Sequence, residues 1–215
     1  MTITGKYIPV DYEGIHYALC NQRCRDWDHP YEWEHNGSTL SSAGCGIFSV
    51  IHASQYLGGD PLTPEELADF ACETGGRGDD GTDRPQLLFA MQETGLAARH
   101  GFAYRFDGLR NDLDVLHDHL VQGNAGLCNL RVGHIVALIG GRTVKGEKQV
   151  LCADPYSESA DPRVRDAVRE CIPGSEVTSL IRSESGLVCG VQTTYAMFWA
   201  ALSTVRDFNL LYRLP

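Results

Sequence analysis

Gly44-Cys45-Gly46 sets a thiol between two glycines, directly before a stretch in which Ile47, Phe48, Val50, Ile51 and Leu57 recur at helical spacing. Cys45 should therefore open a helix. The unpaired amides and positive dipole end of a helix start stabilise a thiolate, drawing its pKa below the free value of about 8.5. The flanking glycines are expected to leave the backbone bare for a substrate carbonyl, with the Cys45 amide donating to the developing oxyanion. Such a nucleophile needs a partner that takes and returns a proton, and histidine, with an ordinary pKa near 6.5, suits that task. Among eight histidines, His134 follows Gly133 at the start of a predicted strand. Asp154, in Ala153-Asp154-Pro155-Tyr156, ends the next predicted strand and could hold the ring. In an antiparallel hairpin the start of one strand lies beside the end of the next, so the two become neighbours. The chemistry implied is acyl transfer from an amide through a thioester.

The elements that must position these groups are legible in part. The Cys45 helix should stop at Gly58-Gly59. Thr63-Pro64-Glu65-Glu66 supplies a cap, a first-turn proline and a capping glutamate, predicting a helix to about Thr74, where Gly75-Gly76 ends it. Asp83 with Gln86 caps a third helix through Met91, and Leu109 to Val121 reads as a fourth. Short apolar runs at Leu127 to Leu130, His134 to Ile139 and Val150 to Ala153, separated by turn residues, predict antiparallel strands. Further on, Val164 to Cys171 and Tyr195 to Leu202 read as helical, Val188 to Gln192 as extended, and Phe208 to Leu214 as a closing strand.

Gln22 and Trp27, Ser42-Ala43-Gly44-Cys45-Gly46, the helix ending in Gly58-Gly59, Leu62-Thr63-Pro64-Glu65-Glu66-Leu67-Ala68, Gly133-His134 and Asp154-Pro155 together resemble the papain-fold cysteine peptidases of the bacteriocin-processing, double-glycine peptidase-like group. The resemblance covers roughly residues 15 to 160. It implies one papain-like α+β domain over 1–215, with a helical lobe at about 41–124 and an antiparallel sheet lobe at about 125–215. It also implies Cys45 as nucleophile, His134 as general base, Asp154 as its orienter and Gln22 as an oxyanion-hole donor, with no cofactor or metal. The papain signature Cys-Gly-Ser-Cys-Trp is absent. The short spacing from Cys45 to His134 fits the compact branch, and Ile47 stands where many relatives carry proline. Gln22 precedes the nucleophile across an insert holding Tyr31, Trp33, His35 and Asn36. A role in bacteriocin export is not expected, since no transporter segment accompanies the peptidase-like region. The expected reaction is hydrolysis of peptide bonds in a peptide or protein substrate. Transfer to an amine, by a transpeptidase, acyltransferase or isopeptidase, is the nearest alternative, and a non-catalytic peptide-binding relative is the other.

Other clusters carry less. Cys20, Cys24, His29 and His35 are zinc-ligand types, but a compact zinc site separates its Cys and His pairs by about a dozen residues, far more than here. His117 and His119 are two apart on a helix and point different ways, so they predict a solvated face. Gly78-Asp79-Asp80-Gly81-Thr82-Asp83 lacks the distal Glu of a calcium loop and reads as a turn before a capped helix. The 215 residues, 43% apolar and 21% charged, are ordinary globular composition. Eighteen Lys and Arg against 28 Asp and Glu give a net charge of −10 with no basic run, which argues against nucleic acid as a partner. No apolar run approaches the roughly 20 residues of a membrane span, and Met1 to Val10 has no leader pattern. A soluble cytoplasmic protein is expected, its eight cysteines reduced and behaving mostly as small core residues.

Overall fold

The structure, a computed structural model, describes residues 6–12, 15–22, 24, 26–105, 112–130, 133–155, 179–182, 188–194 and 205–215. It is a mixed α+β protein built on antiparallel sheet. An N-terminal hairpin of β1 (Tyr7–Tyr12) and β2 (Ile15–Cys20) leads into a short helix α1 (Leu40–Ala43) and then α2 (Cys45–Leu57). Helix α3 (Pro64–Thr74) is followed by a two-rung hairpin, β3 (Arg77–Gly78) with β4 (Gly81–Thr82), and by α4 (Arg84–Glu93) and α5 (Leu96–Arg99). Strand β5 (Phe102–Tyr104), helix α6 (Leu113–Val121) and strands β6 (Ala125–Leu130), β7 (His134–Val144) and β8 (Glu147–Ala153) come next. Strands β9 (Ser179–Arg182), β10 (Val188–Thr194) and β11 (Val205–Arg213) complete the described elements.

Helix ends follow the local chemistry. Gly58 stops α2 in the left-handed region, at φ 84°, where a side chain would be strained. Thr63 and Glu66 cap α3 reciprocally, and Asp83 accepts from the Gln86 amide to start α4. The fourth predicted helix starts later than expected. Asp112 is non-helical and caps α6 with its carboxylate, so the helix begins at Leu113. The Asp79-Asp80 segment is the turn of the β3–β4 hairpin. The predicted helices at Val164 to Cys171 and Tyr195 to Leu202 lie outside the described residues.

A seven-stranded sheet runs in the order β5-β11-β6-β7-β8-β10-β9, with the described pairings antiparallel. Helices and sheet are thus less segregated than the two-lobe expectation. Strand β5 lies in the mainly helical half yet forms one edge of the sheet, and β11, from the tail, pairs with both β5 and β6. One face of the sheet meets α2, whose Ile47, Phe48, Val50, Ile51 and Ala53 are buried with Leu127, Ala137, Ile139 and Leu151. The other face is covered by α6, which buries Leu116 and Leu120 against Cys128, Val136, Leu138, Val150 and Phe208. Sandwiched on both faces, β6 and β7 read as continuous apolar runs and not as alternating ones. Among the described residues no helix is long and apolar enough to cross a membrane.

His117 and His119 are not a solvated face. Both are buried: His117 Nε2 donates to the Arg142 carbonyl at 3.0 Å, and His119 Nε2 donates to the carbonyls of Ala125 and Leu211 at 3.0 and 2.9 Å. Their divergence along the helix is as expected. Contact with the sheet, invisible to helical spacing alone, buries them.

Candidate active site

Cys45 is the first residue of α2, with Gly44 as its cap between α1 and α2. Cys45 is a half-buried residue whose thiol hydrogen-bonds the His134 ring, while the backbone N–H groups of Ile135 and Gly46 face the sulfur. His134 is the first residue of β7, and its Nε2 donates to Asp154 Oδ1 at 2.8 Å. That leaves Nδ1 as the ring nitrogen for the sulfur. Asp154 follows the last residue of β8, and ring and carboxylate are both buried. The strand register explains the meeting. Ala137 pairs with Ala153, so the next step sets Asp154 across from Val136, diagonal to His134 and within reach of a side chain.

Burial opposes a charged thiol at Cys45, but the hydrogen bond and charge of His134, with the two backbone donors, outweigh it and hold the thiol pKa below its ordinary value. Burial likewise disfavours a charged His134 ring. The charge of Asp154 and its hydrogen bond, reinforced by Cys45, override that and raise the ring's pKa. Both shifts favour a thiolate–imidazolium pair, with the Asp154 carboxylate behind the ring. The other reduced thiols differ: burial pushes Cys20, Cys72 and Cys152 upward, and Cys45 alone among these four is drawn down.

No family model, curated protein or solved structure matches the chain. The chemistry is therefore argued from the site. Gln22 is buried beside it: its amide donates to the Pro155 carbonyl at 3.0 Å, and its Nε2 lies 3.4 Å from the Ser41 carbonyl, a long contact. Gln22 Oε1 is buried with no hydrogen-bond partner among the described residues. The Gln22 backbone N–H thus meets the end of β8, and its side chain faces the approach to α2.

The glycines around Cys45 are required by packing. A Cβ on Gly46 would fall 2.4 Å from Thr82 Cβ, and one on Gly44 would fall 2.5 Å from the Leu40 carbonyl. Gly46 lets the β3–β4 hairpin close over the helix start, where Tyr31 Oη and Thr82 Oγ1 share a hydrogen bond of 2.8 Å. The buried guanidinium of Arg77 joins that hairpin to the preceding loop through the Tyr31 and Gly81 carbonyls and Ser38 Oγ, each at 3.0 Å.

Two residues of α2 were missed by the sequence reading, Ser49 and His52, four and seven positions after Cys45. Ser49 Oγ donates to the Ile135 carbonyl at 3.0 Å, and His52 Nε2 accepts from the Cys20 amide at 2.9 Å. A hydroxyl and an imidazole one and two turns beyond the cysteine, on an otherwise apolar helix, were the available signal. The zinc-type residues near the N-terminus do not converge. Cys20 is buried, His29 binds Asp69 at 2.7 Å and the His35 side chain is fully exposed. Among the described residues no group of three or more His, Cys, Asp or Glu is placed to hold a metal ion.

Proposed function

We propose that the protein is a cysteine peptidase of papain-like fold, acting on peptide or protein substrates in the cytoplasm. One observation carries the reading: the thiol of a half-buried cysteine at a helix start, hydrogen-bonded by a histidine whose far nitrogen is held by a buried aspartate. The Cys45 thiolate attacks the substrate carbonyl, and the Cys45 amide and Gln22 Nε2 hold the oxyanion. His134, already protonated, gives its Nδ1 proton to the departing amine, leaving a thioester and a neutral ring. Water then loses a proton to His134 as it attacks the thioester, releasing the acid and restoring the ion pair. Asp154 keeps the ring aligned through both steps.

Limited alkylation followed by mass spectrometry tests the nucleophile. Cys45 is expected to be labelled before Cys20, Cys152 and the exposed Cys72, and labelling of Cys72 first would remove the activated thiolate from the scheme. Cleavage of a mixed peptide library should fall roughly a thousandfold or more in Cys45→Ala. Products joined to an added amine, in place of free acids, would instead identify a transferase.

A further inference from the structure

The Ile135 backbone has an unusual task at the end of the sheet. The Ala137–Ala153 register, continued past the end of β8, sets Pro155 across from Ile135. Proline has no N–H, so Pro155 cannot donate a ladder hydrogen bond to Ile135. The Pro155 carbonyl is also spent elsewhere, on the Gln22 amide at 3.0 Å. Both backbone groups of Ile135 turn instead to α2. Its carbonyl accepts from Ser49 Oγ at 3.0 Å, and its N–H faces the Cys45 sulfur. Ser49 is fully buried, and the bond spans 86 positions of sequence.

We infer that Ser49 is a positioning residue: its hydroxyl clamps β7 to α2 at Ile135 and so holds His134 and the Ile135 amide against Cys45. The inference rests on the nucleophile assigned under the proposed function. Ser49 lies one helical turn from Cys45, and Ile135 is bonded directly to His134, so the clamp sits one turn from the sulfur and one residue from the ring. Without it, the buried Ile135 carbonyl loses its donor from α2, and the strand end is freed to shift away from the helix. The ring and the amide that stabilise the thiolate shift with it.

The test is the pH dependence of Cys45 alkylation, read by mass spectrometry with the exposed Cys72 as internal control. The titratable groups around the sulfur are His134 on β7, Asp154 after β8, Tyr31 in the loop before α1, and His52, which faces Asp154 from α2. None is altered by a change at Ser49. Ser49→Ala should raise the Cys45 midpoint by about one pH unit, cutting its alkylation rate about tenfold on the acid side, and Ser49→Thr, which keeps the hydroxyl, should restore it. Where the alanine variant does not fold, Ser49→Cys, a near-isostere with a weak donor, should raise the midpoint in the same sense. A wild-type midpoint below that of Cys72, matched by an unmoved midpoint in the folded variant, overturns the clamp alone. A wild-type Cys45 that titrates like Cys72 overturns the nucleophile as well.

Discussion

Asp154 is the residue on which the charge distribution of the site turns. Its carboxylate receives the His134 Nε2 proton at 2.8 Å and is the largest influence favouring the charged ring. Asp154→Asn keeps an oxygen to accept that bond and removes only the charge. The His134 pKa, followed by NMR of a ring-labelled sample, should fall by about one unit or more, because an adjacent opposite charge typically accounts for shifts of that size. The Cys45 midpoint should rise with it, since a less populated imidazolium stabilises the thiolate less. A ring whose titration does not respond would mean that Asp154 is not its counter-ion. The pairing of His134 with Asp154 was legible because hairpin register is a short-range property of two runs and a turn. The partners of Gln22 were not, since they depend on where Pro155 and Ser41 come to rest.

Helix α2 holds Cys45 at its first residue, Ser49 one turn on and the buried His52 two turns on. His52 accepts from the Cys20 amide, so its proton sits on Nδ1, which faces the Ala153 carbonyl without reaching hydrogen-bond distance of a described acceptor. Burial dominates its environment and lowers its pKa from 6.5 to about 4, despite the opposing field of Asp154. The unfolded chain therefore binds this proton more readily than the folded one. Stability is unaffected by His52 above pH 6.5 and falls as pH drops from 6.5 towards 4. By pH 5 the loss is about 2 kcal/mol relative to pH 7. His52→Gln keeps an acceptor for the Cys20 amide and should flatten that slope in urea unfolding at the two pH values. An unchanged slope would show that the proton uptake lies elsewhere. The ends of α2, α3 and α4 could be read because caps are local: a left-handed glycine, a Thr-Glu box, an Asp before a proline turn. Strands of two or three residues, such as β3, β4 and β5, carry no period to detect, and only pairing partners define them.

Strand β11 ties together parts of the chain far apart in sequence. Besides pairing with β5 and β6, it carries Asp207 and Asn209, which meet the buried Arg84 of α4: Arg84 Nη1 donates to Asn209 Oδ1 at 2.6 Å and Nη2 pairs with the Asp207 carboxylate. Asn209 in turn donates to Tyr104 Oη of β5 at 3.3 Å. Asp207→Ala leaves the guanidinium buried with half its partners and should cost about 3–5 kcal/mol in urea unfolding. The paired replacement Arg84→Met with Asp207→Leu should cost far less, because it removes both charges and fills the volume. A single variant as stable as the pair would show that water reaches Arg84. None of this was visible in the sequence, where more than a hundred residues separate Arg84 from its two partners.

Order along the chain and order in space disagree at β11. Made after every other described strand, it is a wedge driven between two older ones. Before it pairs, the edges of 102–104 and 125–130 lack the strand that joins them, and the amides and carbonyls it would meet have no ladder partner there. Closing that gap late and over a long loop is entropically slow. Pairing of β11 thus completes the sheet on which α2 and Cys45 rest.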